Sequence, residues 1–195
     1  ATIFLTEYAA SLICSVVPIK KYKIISHGLD TDWIKAGDQR EKNIGEPNPF
    51  RFLCVSEISP YKHQITIVRA LRQLLDSNQF DASLTLVGGG KAKHVRRLKR
   101  IIAELQLDDV VRLLPFVSAD KIRDLHLGHD VFIFSSSCEN LPITLLEALA
   151  LKTPIISSDR GPMPGILGTD AILFNPEDPD QLAAQMLNIA NNFKA

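Results

Sequence analysis

The chain has 195 residues, 46% hydrophobic and 7% aromatic, which is enough apolar material for one globular core and too much for a disordered segment. Lys and Arg together number 22, as do Asp and Glu, so the overall charge favours neither nucleic acid nor an anionic membrane as a partner. No apolar run approaches the ~20 residues of a membrane span, and no basic region precedes the apolar opening ATIFLTEYAASLICSVVP, so neither a transmembrane helix nor a signal peptide is expected.

The opening IFLT reads as a strand already inside a fold and Ala1 is not an initiator Met, so the expectation is a fragment. One helix and the strand Tyr22 to Ser26 are predicted next. The polar, Gly- and Pro-bearing stretch Ala36 to Pro49 then reads as a surface loop. From Phe50 onward, short β-branched runs alternate with longer stretches of helical period, the pattern of βα units around a parallel sheet. Strands are predicted at Arg51 to Val55, Ser83 to Val87, Val110 to Leu114, Val131 to Phe134, Pro154 to Ser157 and Ala171 to Phe174. Between them, helices are expected at Gln64 to Leu75, Lys91 to Leu105, Ala119 to Leu127, Pro142 to Leu151 and Gln181 to Ala190. Ile65, Val68, Leu71, Leu74 and Leu75 recur at three- and four-residue steps and define the core face of the first of these. The fold class is therefore α/β with a doubly wound parallel sheet, whose chemistry belongs in the loops beyond the carboxyl ends of the strands.

The most informative loop is SSSCENLPITLLE, Ser135 to Glu147, which leaves a buried strand and enters a helix. Pro142 suits the first helical turn, and the N–H groups of Ile143, Thr144 and Leu145 would then be free to hold a phosphate at the positive end of the helix dipole. Glu139 before the helix and Glu147 within it bracket that position, one suited to a sugar and the other to a ribose diol. A solvated Glu139 and a surface Glu147 are the plainer alternative. Lys62 stands just before a helix start, where a cation is unfavourable unless an anion lies between, which makes it a candidate diphosphate contact. Gly88, Gly89 and Gly90 follow a strand without forming GxGxxG or a Walker loop, so they mark either a close ligand approach or a tight turn.

KAKHVRRLKR, Lys91 to Arg100, carries seven basic side chains and no acid, but the adjoining IIAELQL supplies a buried face, so a solvated surface and no nucleic-acid partner are expected. His126 and His129 lack partner ligands and HExxH is absent, so no metal site is expected. Cys14, Cys54 and Cys138 are odd in number without CxxC spacing, which predicts free thiols in a reducing, cytoplasmic compartment, and Cys138 lacks the His a nucleophile would need.

Taken together, the strand followed by SPYKHQ, then LTLVGGG, VVRLLPFVS, HDVFIFSSSCENLPITLLEALALKTPIISSD, GPMPGILG and ILFNPEDPDQLA resemble the carboxyl-terminal domain of glycosyltransferase family 4, retaining enzymes of the GT-B fold. The resemblance runs from about Tyr22 to the end. It implies a Rossmann-like half of a GT-B enzyme at residues 22–195, with 1–21 a remnant of the acceptor domain or a linker. It also implies a nucleoside diphosphate sugar, UDP- or GDP-linked, as donor, with no separate cofactor and no metal. Glu139 would meet the donor sugar as the catalytic residue and Glu147 the ribose. Asn140, Leu141, Pro142 and Ile143 would approach sugar and diphosphate, Lys62 would bind phosphate, Gly88 would contact the donor through its backbone, and Phe116 with Val117 would flank the base. The acceptor would be a saccharide or lipid-linked glycan, with peripheral association at the inner face of the membrane through the other domain.

Two departures bear on this. Glu57 stands where many members have a phosphate-pairing Arg, and Gly165 where GPMP is commonly followed by Glu. A non-catalytic nucleotide-sugar-binding or regulatory domain is the alternative that Glu57 suits.

Overall fold

The computed structural model describes residues 1–40, 49–77, 79, 81–169 and 171–192. Strands β1 (Thr2–Phe4) and β2 (Tyr22–Ile24) pair in parallel in a small sheet of their own, connected by α1 (Glu7–Val16). The main sheet comprises β3 (Phe50–Val55), β4 (Ala82–Val87), β5 (Val111–Leu114), β6 (Val131–Phe134), β7 (Ile155–Ser158) and β8 (Ile172–Phe174), all parallel, in the order β5-β4-β3-β6-β7-β8. The order reverses between β3 and β6. In a doubly wound sheet the connections there diverge to opposite faces and leave a crevice at the carboxyl ends, where ligands bind.

The helices are α2 (Thr31–Arg40), α3 (Gln64–Asp76), α4 (Ala92–Glu104), α5 (Ala119–Leu127), α6 (Ile143–Ala150), α7 (Met163–Leu167) and α8 (Pro179–Asn192). One face of the sheet is covered by α3, α4 and α8, where Phe52, Leu71, Leu98 and Met186 join one buried cluster. The other is covered by α5, α6 and α7, with Leu53, Phe132, Leu145 and Met163 in a second. Strands such as VFIF in β6 are buried along their whole length, as expected when both faces are packed.

Every predicted strand and helix of the main sheet is present, with ends displaced by a residue or two. The predicted strand Tyr22 to Ser26 ends at Ile24 and pairs with β1 in a separate two-stranded sheet. Two helices precede residue 41 where one is predicted, because α2 occupies Thr31–Arg40. Thus Ala36 to Arg40 of the expected loop are helical, and 41–48 lie outside the described residues. The short α7 is also additional. In α2 only Trp33 and Gly37 are buried, so the helix has no periodic apolar stripe to announce it.

Its last residue explains why α2 is held. Arg40 donates to the carbonyl of His126 and, at 2.5 Å, to that of His129, and reaches Thr153 Oγ1 at 3.3 Å, which fastens the helix to the amino ends of β6 and β7. His129 is saturated by Leu125 O at 2.6 Å and Thr85 Oγ1 at 2.8 Å. His126 is completely buried against Phe132. Both imidazoles are therefore part of the packing.

Burial, with Arg40 and His129 adding to it, pushes the His126 imidazole down to about 3 from its ordinary 6.5. The folded state thus takes up this proton less readily than the unfolded chain. The stability conferred by neutral burial is complete above pH ~6.5 and is lost as pH falls from there towards about 3. Urea unfolding should show a loss of about 2 kcal/mol between pH 7.5 and 5 from this residue. His126→Leu should flatten that part of the profile; an unchanged slope would remove His126 as its source.

Candidate functional site

The loops after β3 and β6 meet at the crevice, and a run of serine contacts sets their distance. Ser135 Oγ donates to the Lys62 carbonyl at 2.5 Å, and the Ser137 N–H donates to the Tyr61 carbonyl at 2.8 Å. His63 Nε2 and Ser137 Oγ are 2.9 Å apart. Small hydroxyl side chains suit such loops because they satisfy neighbouring backbone without needing a helix or a ladder. They hold the single 3₁₀ turn Pro60–Lys62 against the β6 loop, and this brings the Lys62 ammonium into an ion pair with Glu139. Both side chains are only 14% exposed. Lys62 Nζ also lies 5.7 Å from the centre of the Phe134 ring.

The pair sits in an open cleft of about 360 Å³ lined by Glu57, Tyr61, Lys62, Glu139, Pro142 and Thr144, among others. Leu141 and Ile143 line it as well. The start of α6 opens into this cleft without a side-chain cap. Pro142 is the N-cap residue itself, with extended backbone, one position earlier than predicted. The Leu145 N–H donates to the Pro142 carbonyl at 3.1 Å, so the anion-facing donors reduce from the predicted three to those of Ile143 and Thr144. Two free N–H groups at a helix start beside a lysine still make a ready oxyanion position.

Glu147 lies one turn into α6 and outside the lining of the cleft. Its Oε2 is buried with no hydrogen-bond partner among the described residues, and burial raises its pKa. A carboxylate oxygen in this condition is an acceptor waiting for donors.

Gly88, Phe116 and Val117 also lie beside the cleft and not in it. Gly88 has φ +135°, and a Cβ there would come within 2.2 Å of the Ser56 carbonyl, so the β3 and β4 loops approach as closely as they do only because the residue is glycine. Phe116 is 71% exposed and its ring lies over Gly89, where a Cβ would meet the ring at 2.7 Å. Val117 packs against the second core cluster. The exposed ring on a glycine floor is a flat apolar platform.

Asn140 accepts from the Thr6 hydroxyl at 3.5 Å, which ties the β6 loop to the start of α1. On that side a cavity of about 530 Å³ opens between α1 and α7, lined by Tyr8, His27, Leu141, Gly161, Gly165 and Ile166 together with neighbours. A Cβ at Gly165 would meet nothing within 4 Å, so the position has room for a side chain. Cys138 is exposed, Cys54 is buried with its thiol pushed up to about 11, and all three cysteines are free. Ser135, Ser137 and His63, which place the ion pair, were not among the sequence candidates; the SSS run directly after a buried strand was their only trace.

An open doubly wound domain with a lysine, carboxylates and an uncapped helix start at its switch point is of the α/β class whose ligand crevice lies beyond the carboxyl ends of the strands. The chain is a member of the glycosyl transferases group 1 family, whose model matches residues 36–194. It is 25% identical over 182 residues to an uncharacterised glycosyltransferase of Methanocaldococcus jannaschii, covering 88% of this chain and 46% of that protein. It is 24% identical over 184 residues to a D-inositol 3-phosphate glycosyltransferase of Streptomyces avermitilis, covering 88% and 40%. The chain thus spans less than half the length of these relatives. Among solved structures it superimposes on a Rickettsia africae glycosyltransferase with a TM-score of 0.82 at 20% identity, over 99% of this chain and 53% of that one. Anabaena HepE in complex with UDP and glucose gives a TM-score of 0.76 at 22% identity, over 97% and 52%. The shared fold is the GT-B glycosyltransferase domain.

Proposed function

We propose that this chain is the donor-binding half of a retaining, metal-independent glycosyltransferase that uses a nucleoside diphosphate sugar. The observation that carries the proposal is the joining of Lys62, Glu139 and the uncapped start of α6 in one cleft at the switch point. In this reading the diphosphate takes the position between Lys62 and the Ile143 and Thr144 N–H groups. Charge developing on it as the sugar departs is stabilised by donors already in place, a role otherwise filled by a divalent cation. Glu139, released from Lys62 by the incoming phosphate, turns to the sugar. Glu147 accepts from the ribose hydroxyls, and Phe116 on Gly89 offers the base a stacking surface, with Gly88 and Val117 beside it. Asn140, Leu141 and Pro142 form the wall between diphosphate and sugar.

The acceptor, a saccharide or lipid-linked glycan, is assigned to the cavity by Tyr8 and Gly165 on the far side of Leu141. In this reading residues 22–195 form the donor lobe and 1–21 a remnant of the acceptor lobe or a linker. That lobe would also carry any peripheral membrane contact; none of the described helices is long and apolar enough to cross a membrane. The cytoplasmic setting we propose is compatible with the three unpaired thiols.

Thermal unfolding with UDP, GDP, ADP and CDP, each with and without EDTA, tests this. A nucleotide at about 100 times its Kd adds ~2.7 kcal/mol, a rise of roughly 5 to 10 °C in Tm for a domain of this size. UDP is the first candidate, given the UDP complex of Anabaena HepE. A rise with one nucleotide that is insensitive to EDTA is expected. A folded chain indifferent to all four would sink the proposal. Glu57 in the cleft favours a second reading, a regulatory nucleotide-sugar-binding domain. Unchanged transfer by Glu139→Ala in a polypeptide containing both lobes would favour it.

A further inference from the structure

The turn that presents Lys62 has a second side. On the sheet face opposite α6, between the start of α3 and α4, lies a cavity of about 200 Å³ whose polar walls are Ser59, His63, Gln64, Thr66, His94 and Arg97. Ile58, Ile65 and Leu98 supply apolar floor. It is separated from the donor cleft by backbone: the Ile58 N–H donates to the Gly89 carbonyl at 2.7 Å, and Ile58 and Gly90 form a β-bridge. No lining side chain is acidic.

We propose that this cavity is a binding site for a small oxyanion, a phosphate either free or on a compact monoester. Arg97 and His94, one turn apart on α4, present a guanidinium and an imidazole from one wall. A second imidazole, that of His63, lies in the other wall, but its Nε2 is 2.9 Å from Ser137 Oγ and burial lowers its pKa, so the positive charge of the site rests on Arg97 and the helix start. Helix α3 starts at this cavity with no side-chain cap, its N-cap His63 being in the left-handed region, so its first N–H groups add a positive dipole end. The Ser59 hydroxyl, in the same wall, is buried without a hydrogen-bond partner among the described residues. Lys93 and Arg96 are exposed on the same helix, and nearby positive charge raises the local concentration of anions. The acid-free helix Lys91 to Arg100 thereby acquires a role that neither nucleic acid nor the donor site requires of it. A volume of this size lies below the range of drug-like sites and suits a phosphate better than a nucleotide.

The test is a titration of the chain with inorganic phosphate and, separately, glycerol 3-phosphate, at ionic strength held constant with chloride, followed by amide NMR shifts. Saturable shifts are expected at Ile65, Thr66, Val95 and Leu98, in the parent chain and equally in Lys62→Gln. In the His94→Gln/Arg97→Gln double variant the midpoint should move to roughly tenfold higher concentration or beyond, since charge-assisted contacts are lost. Arg97 is exposed and His94 half-buried, and circular dichroism confirms that the variant folds. The tighter of the two ligands names the source of the phosphate. Shifts confined to Ile143 and Thr144 that vanish in Lys62→Gln would place the anion in the donor cleft and overturn the proposal. So would shifts no different from those in chloride alone.

Discussion

Replacing Lys62 with glutamine is expected to weaken nucleoside diphosphate binding by about 10- to 150-fold, the cost of a lost hydrogen bond to a charged group. Replacing Glu139 with glutamine should act in the opposite direction on the same ligand. In the free chain Lys62 is committed to Glu139, both largely out of solvent, and a phosphate must compete for that ammonium. Glutamine at 139 withdraws the competing charge. If the pair is worth about 1 kcal/mol, affinity for the nucleoside diphosphate rises roughly fivefold. The gain should not extend to the sugar: the variant should lose any preference for the nucleotide sugar over the bare nucleotide, because the carboxylate that accepts from sugar hydroxyls is gone. Calorimetric titration of parent, both single variants and the double variant closes the cycle. Equal weakening by Lys62→Gln and Glu139→Gln would mean that the pair is structural and that phosphate does not compete for it.

The second large effect belongs to Glu147, where stability and binding should change with opposite signs. A buried carboxylate oxygen with no partner among the described residues is a liability to the free domain, and burial raises its pKa for the same reason. Glu147→Gln should raise stability at neutral pH by about 1 kcal/mol and weaken nucleotide binding about tenfold or more. The sign with pH is fixed by the raised pKa. The cost of the buried charge is absent when the carboxyl is protonated and grows as pH rises through the folded value, so the stability advantage of the variant fades in acid. Nucleotide affinity of the parent falls as pH drops through that value, because a protonated carboxyl offers fewer acceptor sites to a diol, whereas the variant stays flat. Urea unfolding and calorimetry at pH 7.5 and 5 separate these outcomes. A variant that is both weaker-binding and less stable would show Glu147 to be a packing residue.

This trade also explains why the two glutamates differ in legibility. Glu139 and Glu147 stand out in the sequence because one follows a buried strand and the other lies inside the next helix, and that spacing alone brackets a helix start. Nothing in the spacing distinguishes a carboxylate neutralised by a lysine from one left without a partner. That difference arises because the loop carrying Lys62 comes 77 residues earlier and reaches Glu139 only across the β3–β6 switch point.

Local pattern alone determined the doubly wound sheet, since its strands are continuous β-branched runs buried on both faces and its helices, α3 above all, carry an apolar stripe. It also located the loop of the candidate site, because a serine-rich exit from VFIF and a proline at the entry to the next helix are local chemistry. Tertiary structure decided the rest. Helix α2, polar except for Trp33, Ile34 and two alanine-sized positions, persists through Arg40 anchoring on β6 and β7, a contact about ninety residues away. Strand β2 pairs with β1 and leaves the main sheet, although its residues would suit either. The ion pair, the Glu147 oxygen without a partner among the described residues and the cavity behind the Lys62 turn all depend on loops that approach across the sheet; the glycine run at 88–90 is visible in the sequence, but which loop Gly88 meets is set by strand order, which no short window of sequence contains.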